Sequence, residues 1–263
     1  MKTNQKPRLT VVKVGGAVVE DAEALDRLLD QVALITTPVV FVHGGGRSAS
    51  AMARRLGIEP VMIEGRRVTD AAMLEIVTMV YGGLVNKNIV ARLQARQVNA
   101  IGLTGADMNV ILSDVRPKTP IDYGFVGDVK RVNDKALTTL LNAGMTPVVA
   151  PLTHDGAGTM LNTNADTMAM SVASALADTF DVTLTFCFEM NGVMRDPDDA
   201  DSVIPTITPS LYETLKADGV VSGGMIPKLD NAFKAINSGV SRVVITKADN
   251  LSDETKGTKI IGE

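Results

Sequence analysis

Residues 39 to 57 read VVFVHGGGRSASAMARRLG, and their reading decides the fold. Val39 to Val42 is short, β-branched and aromatic, the composition of a buried strand. His43 follows, then Gly44, Gly45 and Gly46. Ser48 opens a stretch in which Ala51, Met52 and Leu56 recur at helical spacing, and Gly57 closes it. The order is therefore strand, glycine turn, helix. Three glycines let backbone N–H groups approach an anion without a Cβ in the way. The helix N-terminus behind them adds unpaired donors and partial positive charge. The same residues also suit a tight βα turn that holds no ligand, because glycine turns are common.

Working outward, the preceding strand, Leu9 to Val14, carries one misfit, Lys13, and runs into Gly15 and Gly16. An unpaired ammonium is costly inside a protein. Lys13 either reaches solvent along its own stem or stands at the carboxyl end of a parallel strand, where open α/β sheets bind ligands. Asp21 to Leu34 has a helical stripe of Leu25, Leu28, Leu29 and Val32. Two consecutive strand–glycine–helix units imply a parallel, right-handed arrangement with both glycine turns on one edge of the sheet.

Further along, Pro60 to Thr69 reads as a hairpin around Glu64-Gly65. A long helix capped by Thr69 or Asp70 runs to about Arg96, and Gly82-Gly83 interrupt it, which suggests close packing. Strands are expected at 98–103, 145–151, 181–189, 242–246 and 259–261, the last two closing the sheet. Residues 110–131 read as hairpins. Helices are expected at 133–142, 165–177 and 209–218. VVSGGMIPK, Val220 to Lys228, is a glycine loop leading into a helix that ends at Ser238. Asn162, Asn164 and Asp166 enter a helix at alternate positions, which suits either plain capping or a ligand site. A soft boundary falls near residues 153–162. The fold class is α/β: a three-layer α/β/α sandwich with an open, mainly parallel central sheet.

The chain has 263 residues, enough for one large core or two fused lobes. Hydrophobic content of 45% and charged content of 21% describe an ordinary globular protein. A net charge of −4 argues against bulk nucleic-acid binding, which wants a basic domain. The one cysteine, Cys187, sits in an apolar run and suits a reducing cytoplasm. No apolar run approaches the ~18 residues of a membrane span, and the first one is cut by Lys13, unlike a signal peptide. Two distant histidines and one cysteine make a zinc site or a nucleophilic triad implausible. The phosphate-loop pattern G-x-x-x-x-G-K-[ST] is absent. One rival stands: Gly44-x-Gly46-x-x-Ala49, with Glu64 about 20 residues on, fits the loose dinucleotide fingerprint.

Val12-Lys13-Val14-Gly15-Gly16 and His43-Gly44-Gly45-Gly46 resemble the opening of the amino-acid kinase family. Five elements in order resemble its N-acetylglutamate kinase branch: the HGGG turn, Gly65 to Thr69, Asn86-Lys87, Asn162 to Asp166, and Gly223 to Lys228. They span nearly the whole chain. The resemblance implies one domain over residues 1–263, with a lobe of about 1–155 for an acylated amino acid and a lobe of about 156–263 for ATP. It implies transfer of a phosphoryl group from ATP to the γ-carboxylate of N-acetyl-L-glutamate, a step of arginine biosynthesis. Such a carboxylate is already ionised at neutral pH and needs no general base, so catalysis is positioning plus electrostatics.

On that resemblance Lys13 and Lys228 are the catalytic cations and Asp166 holds both. Gly44, Gly45, Gly46, Arg67 and Asn162 bind substrate, with Arg67 gripping the α-carboxylate. Gly15, Gly16, Glu189, Gly192, Gly223, Gly224 and Met225 face the nucleotide. Mg²⁺ rides mainly on the ATP phosphates, with no protein metal site. The segment Cys187 to Gly192 departs from the family's pattern near the adenine, and residues 104–126 depart near the substrate. The acyl group, acetyl or succinyl, therefore stays open. So do carbamate, aspartate or glutamate as acceptors, and a non-catalytic ligand-binding regulator on the same fold. The residues before Leu9 have no apolar stripe, so the helix that interlaces hexamers in arginine-inhibited family members is expected to be missing. A homodimer insensitive to arginine, joined through the helix at 70–96, is expected.

Overall fold

The computed structural model describes residues 5–196, 198, 199 and 201–262. The frame is set by β1 (Arg8–Val14) and β2 (Val39–His43), which pair in parallel. Along the chain follow β3 (Met62–Ile63), β4 (Arg66–Arg67), β5 (Ala100–Leu103), β6 (Ile111–Val115), β7 (Gly127–Val132), β8 (Thr146–Val149), β9 (Leu152–His154) and β10 (Met160–Asn162). The last strands are β11 (Asp181–Phe188), β12 (Thr206–Ile207), β13 (Arg242–Lys247) and β14 (Thr258–Ile260). The helices are α1 (Gly16–Glu20), α2 (Ala22–Ala33), α3 (Gly46–Arg55), α4 (Ala71–Val77), α5 (Asn86–Ala95), α6 (Asp134–Asn142), α7 (Ala165–Leu176), α8 (Pro209–Ala217) and α9 (Met225–Asn237).

Eight strands form the central sheet in the order β12-β14-β13-β11-β1-β2-β8-β5. From β13 to β5 every pair is parallel, while β14 runs antiparallel to β13. Successive side chains of a strand point to opposite faces. Leu9 and Val11 of β1 therefore join one core with residues of α6 to α9, and Val12 and Val14 join the other with residues of α1 to α5. This is a three-layer α/β/α sandwich. Both cores are mainly aliphatic, and burying each Leu or Phe contributes about 1.5–3 kcal/mol. Strands β10-β9-β6-β7 make a separate sheet, and β3 and β4 a two-stranded hairpin turned by Glu64 and Gly65, both at positive φ.

Four local expectations need revision. Helix α3 starts at Gly46, ahead of Ser48, because Ser48 N–H and Oγ–H both donate to Glu20 Oε1 at the end of α1. That carboxylate, from an unanticipated helix, caps the turn. Asp70 caps the long helix, as one of the two expected residues, but Gly82-Gly83 do not interrupt it. The helix widens into a π-helical stretch, Thr78–Val85, between α4 and α5. A Cβ on Gly82 would lie 3.4 Å from Leu152, while one on Gly83 would meet nothing. The sheet is closed by β12, outside β14, rather than by residues 259–261. Residues 153–162 fall in the β9–β10 hairpin rather than in a linker.

Candidate active site

Parallel strands bring the ends of β1, β2 and β11 to one edge, and both glycine turns sit there. They pack against each other. Gly44 N–H donates to Val14 O at 3.0 Å, and a Cβ on Gly44 would come within 3.1 Å of Gly16 N. A Cβ on Gly16 would lie 3.6 Å from Gly46 N and 3.8 Å from Gly45 N. Gly45 has its own reason to be glycine: a Cβ there would stand 2.9 Å from the Tyr81 ring. Helices α1 and α3 thus point their N-termini at the same space, and the first N–H groups of a helix have no partner within it. Two such turns packed together have the geometry of a cradle for an anion.

The side-chain period of two places Lys13 on the face of Leu9 and Val11, the face that α7 covers. Asp166 stands in the first turn of α7, whose N-cap is Asn164. Lys13 Nζ lies 2.6 Å from Asp166 Oδ1, a charge contact without hydrogen-bond alignment. Lys13 is 6% exposed, so this pairing is what lets an ammonium sit there. Lys228 enters from the start of α9 and makes no ion pair among the described residues. Burial holds its pKa below the ordinary lysine value, Asp166 pulls it up and Lys13 pushes it down. Both ammonium groups stand over one aromatic ring, that of Phe188: Lys228 Nζ at 3.8 Å from its centroid and Lys13 Nζ at 5.4 Å.

On the other side of the glycine turn lies a cavity of about 170 Å³ lined by Gly44 to Gly46, Arg67, Tyr81 and Asn162, among others. Arg67 is 7% exposed. Its Nη2 donates to Gly46 O at 2.7 Å and to Ser50 Oγ at 2.8 Å. It makes no ion pair among the described residues. Asn162 donates through Nδ2 to Thr69 Oγ1 at 2.9 Å. Burial raises the Tyr81 pKa, and the Arg67 charge opposes that rise. The cavity therefore offers a buried, uncompensated guanidinium beside two helix N-termini, and Arg66 also lines it.

Behind the turn lies a buried polar brace that sequence reasoning missed. His43 is fully buried, and its Nδ1 sits 2.7 Å from Gly44 O. Its Nε2 lies 3.1 Å from Asn86 Nδ2, which also donates to Val148 O. Lys87 Nζ donates to Asn86 Oδ1 and to Gly102 O, which orients the amide. Nδ1 therefore carries the proton and Nε2 accepts. Burial pushes the imidazole pKa down to about 4, so the ring is neutral. It fixes the Gly44 carbonyl and leaves the cradle N–H groups facing outward. Asn86-Lys87 is one of the elements that carry the family resemblance, which gave it no role; its contact with His43 supplies one.

The remaining expected residues divide. Gly15 is the N-cap of α1, and a Cβ there would lie 4.0 Å from Lys13 Nζ. Gly223, at positive φ, and Gly224 lead exposed into α9, where Met225 is the first residue. Glu189 is exposed and acts on Lys228 through its charge. Gly192 is buried against β14, where a Cβ would meet Thr258 Oγ1 at 2.7 Å. Packing thus accounts for that glycine. Cys187 is buried, and burial pushes its thiol up to about 12, so it is no nucleophile. Among the described residues no three His, Cys, Asp or Glu side chains group as metal ligands.

The profile of the family described as "Amino acid kinase family" matches residues 8–247. Acetylglutamate kinase of Bacteroides thetaiotaomicron is 60% identical over 255 residues, covering 97% of this chain and 99% of that one. Acetylglutamate kinase of Phocaeicola vulgatus is 59% identical over the same shares of both chains. Among solved structures, smu.665 of Streptococcus mutans superposes with a TM-score of 0.78 at 29% identity, covering 96% of this chain and 98% of that one. The match over residues 8–247 and the near-full-length identity to these relatives show that this chain belongs to the amino acid kinase family.

Proposed function

We propose that this chain transfers the γ-phosphoryl group of ATP to the side-chain γ-carboxylate of N-acetyl-L-glutamate or a close N-acyl-L-glutamate. The observation that carries this is Arg67: a buried guanidinium with no carboxylate of its own among the described residues, in a cavity that shares its glycine turn with the lysine site. A substrate α-carboxylate satisfies it bidentately, and Asn162 bonds the polar backbone of the same molecule. That places the γ-carboxylate at Gly44, Gly45 and Gly46. A carboxylate oxygen attacks the γ-phosphorus, the bond to the β,γ-bridging oxygen breaks, and ADP leaves. No proton moves, so no general base is needed. Lys13 and Lys228 stabilise the charge on the transferring group, and Asp166 keeps Lys13 in place without neutralising the site.

The nucleotide lies on the side of α9, with Gly15, Gly16, Gly223, Gly224 and Met225 around its phosphates and Glu189 near the outer end. Residues up to about 155 mainly serve the acyl amino acid, joined by Asn162, and the rest mainly serve ATP, joined by Gly15 and Gly16. Mg²⁺ rides mainly on the ATP phosphates, whose charge it offsets. No helix among the described residues is long and apolar enough to cross a membrane, and the buried Cys187 fits a reducing cytoplasm. The π-helical stretch leaves Met79 and Leu84 half exposed beside the open Gly83, which supports a homodimer through this helix. Light scattering checks it: twice the chain mass is expected, and a monomer refutes it.

ADP release and hydroxylamine trapping, measured with N-acetylglutamate, N-succinylglutamate, glutamate, aspartate and carbamate, test the function. An acylglutamate is expected to give the highest kcat/KM. Preference for any other acceptor, or ADP release without trapped product, refutes it.

A further inference from the structure

We propose that Phe188 is a positioning residue, a neutral aromatic platform that holds the Lys228 ammonium, and with it Lys13, over the phosphoryl-transfer site. Two like charges converge here and, among the described residues, one carboxylate is paired with them: Asp166 contacts Lys13 at 2.6 Å. Lys228 has no ion pair among the described residues, yet its Nζ is 3.8 Å from the Phe188 centroid, with Lys13 Nζ 5.4 Å from the same point. An ammonium within about 6 Å of a ring centroid is attracted by the ring quadrupole, more strongly when desolvated. Burial lowers the Lys228 pKa, which marks that desolvation.

The platform is itself held. Phe188 ends β11, and its ring is parallel to that of Phe186, interplanar angle 4° and centroids 6.2 Å apart. Phe186 is 2% exposed and packs in the core under α7. The side-chain period sets both rings on the face of Lys13, since Phe186 is Lys13's register partner. The chemical consequence concerns competition. A second carboxylate would hold Lys228 equally well but would compete with the phosphoryl group for its charge. A ring orients the ammonium and leaves the full charge for the incoming anion. Lys228 stands in the first turn of α9, just after the exposed Gly223-Gly224, and no carboxylate pairs with it among the described residues.

The test replaces Phe188 by ring analogues of nearly the same shape, incorporated by codon suppression: 3,4,5-trifluoro- and pentafluorophenylalanine. Fluorine withdraws the π density and spares the packing. The expected result is a stepwise fall in kcat, roughly 3- to 30-fold at the pentafluoro analogue, with both KM values changed less. A kcat that does not track fluorine content overturns the proposal, and so does a rise confined to the KM for ATP, which would make the ring an adenine contact. Phe188→Tyr, which keeps the ring, is expected to retain kcat far better than Phe188→Leu; equal losses in both overturn it. These arms rest on the kinase function proposed above, so an activity-independent arm accompanies them. In protein labelled with ¹³C-lysine, the Lys228 Cε protons are expected upfield, shifted by the ring current. Phe188→Leu is expected to remove that shift, and its absence from the unsubstituted protein overturns the proposal even if the acceptor has been misassigned.

Discussion

The buried imidazole of His43 makes stability fall in acid by an amount that can be worked out. Its folded pKa is about 4, against 6.5 for the free side chain. The cause is burial first, with Lys87 adding to it and the Gly44 carbonyl opposing it. Between those values the unfolded chain binds a proton that the folded chain refuses, so stability rises with pH there. The contribution is fully present above about pH 6.5 and is lost as pH falls to about 4. A gap of about 2.5 units at about 1.4 kcal/mol per unit amounts to about 3 kcal/mol in full, and to about 2 kcal/mol between pH 8 and pH 5. The chemistry agrees: a protonated ring would turn Nε2 into a donor facing the Asn86 amide, itself a donor. Urea denaturation of the unsubstituted chain and of His43→Asn, at pH 8 and pH 5, isolates this group from the carboxylates. The unsubstituted chain is expected to lose about 2 kcal/mol more than the variant over that interval. Parallel losses in the two proteins would refute the reasoning.

Other perturbations separate the two halves of the site. Lys228→Ala is expected to lower kcat by roughly 10²- to 10³-fold with smaller changes in KM, as for loss of one preformed electrostatic donor; near-normal turnover removes Lys228 from the reaction. Asp166→Asn leaves Lys13 buried without its counter-charge and is expected to be as severe in the same assay. Arg67→Lys keeps the charge and loses the fork, so the KM for the acyl amino acid rises far more than that for ATP. If Arg66→Lys does this instead, the wrong guanidinium has been assigned. Gly45→Ala drives a methyl group into the Tyr81 ring and is expected to cost about 1–3 kcal/mol in urea denaturation and to raise the acceptor KM; unchanged values for both contradict the packing.

The fold was legible because its signals are local and periodic. The run Val39 to Val42 before His43 and three glycines, and Lys13 before Gly15-Gly16, specify two βα units, and parallel crossovers then place both turns on one edge. Lys13 was readable as a misfit, and its partner Asp166 as an acid at a helix start. The structure brings them to 2.6 Å. What was not legible depends on contacts distant in sequence. Glu20 caps α3 from another helix, so no N-cap signal at Ser48 could place the helix start. Asn86 meets His43 across 43 positions of chain. Phe188 was legible only as part of the Cys187 to Gly192 segment that departs from the family's pattern, and only the register of β1 with β11 sets it under two lysines. The π-helical widening at Gly82-Gly83 has no period of its own in the sequence; the apolar stripe reads the same in either helix.

The central claim is that a substrate carboxylate oxygen attacks phosphorus. It is tested most directly with N-acetyl-L-glutamate carrying ¹⁸O in both γ-carboxylate oxygens, incubated with the chain and Mg-ATP in the presence of hydroxylamine. Hydroxylamine attacks the acyl carbon and releases phosphate with the transferred oxygen still on phosphorus. The account predicts one ¹⁸O in each phosphate released with the hydroxamate, read from the isotope shift in the ³¹P spectrum. Phosphate without ¹⁸O would mean that water, not the carboxylate, takes the phosphoryl group, and would contradict it.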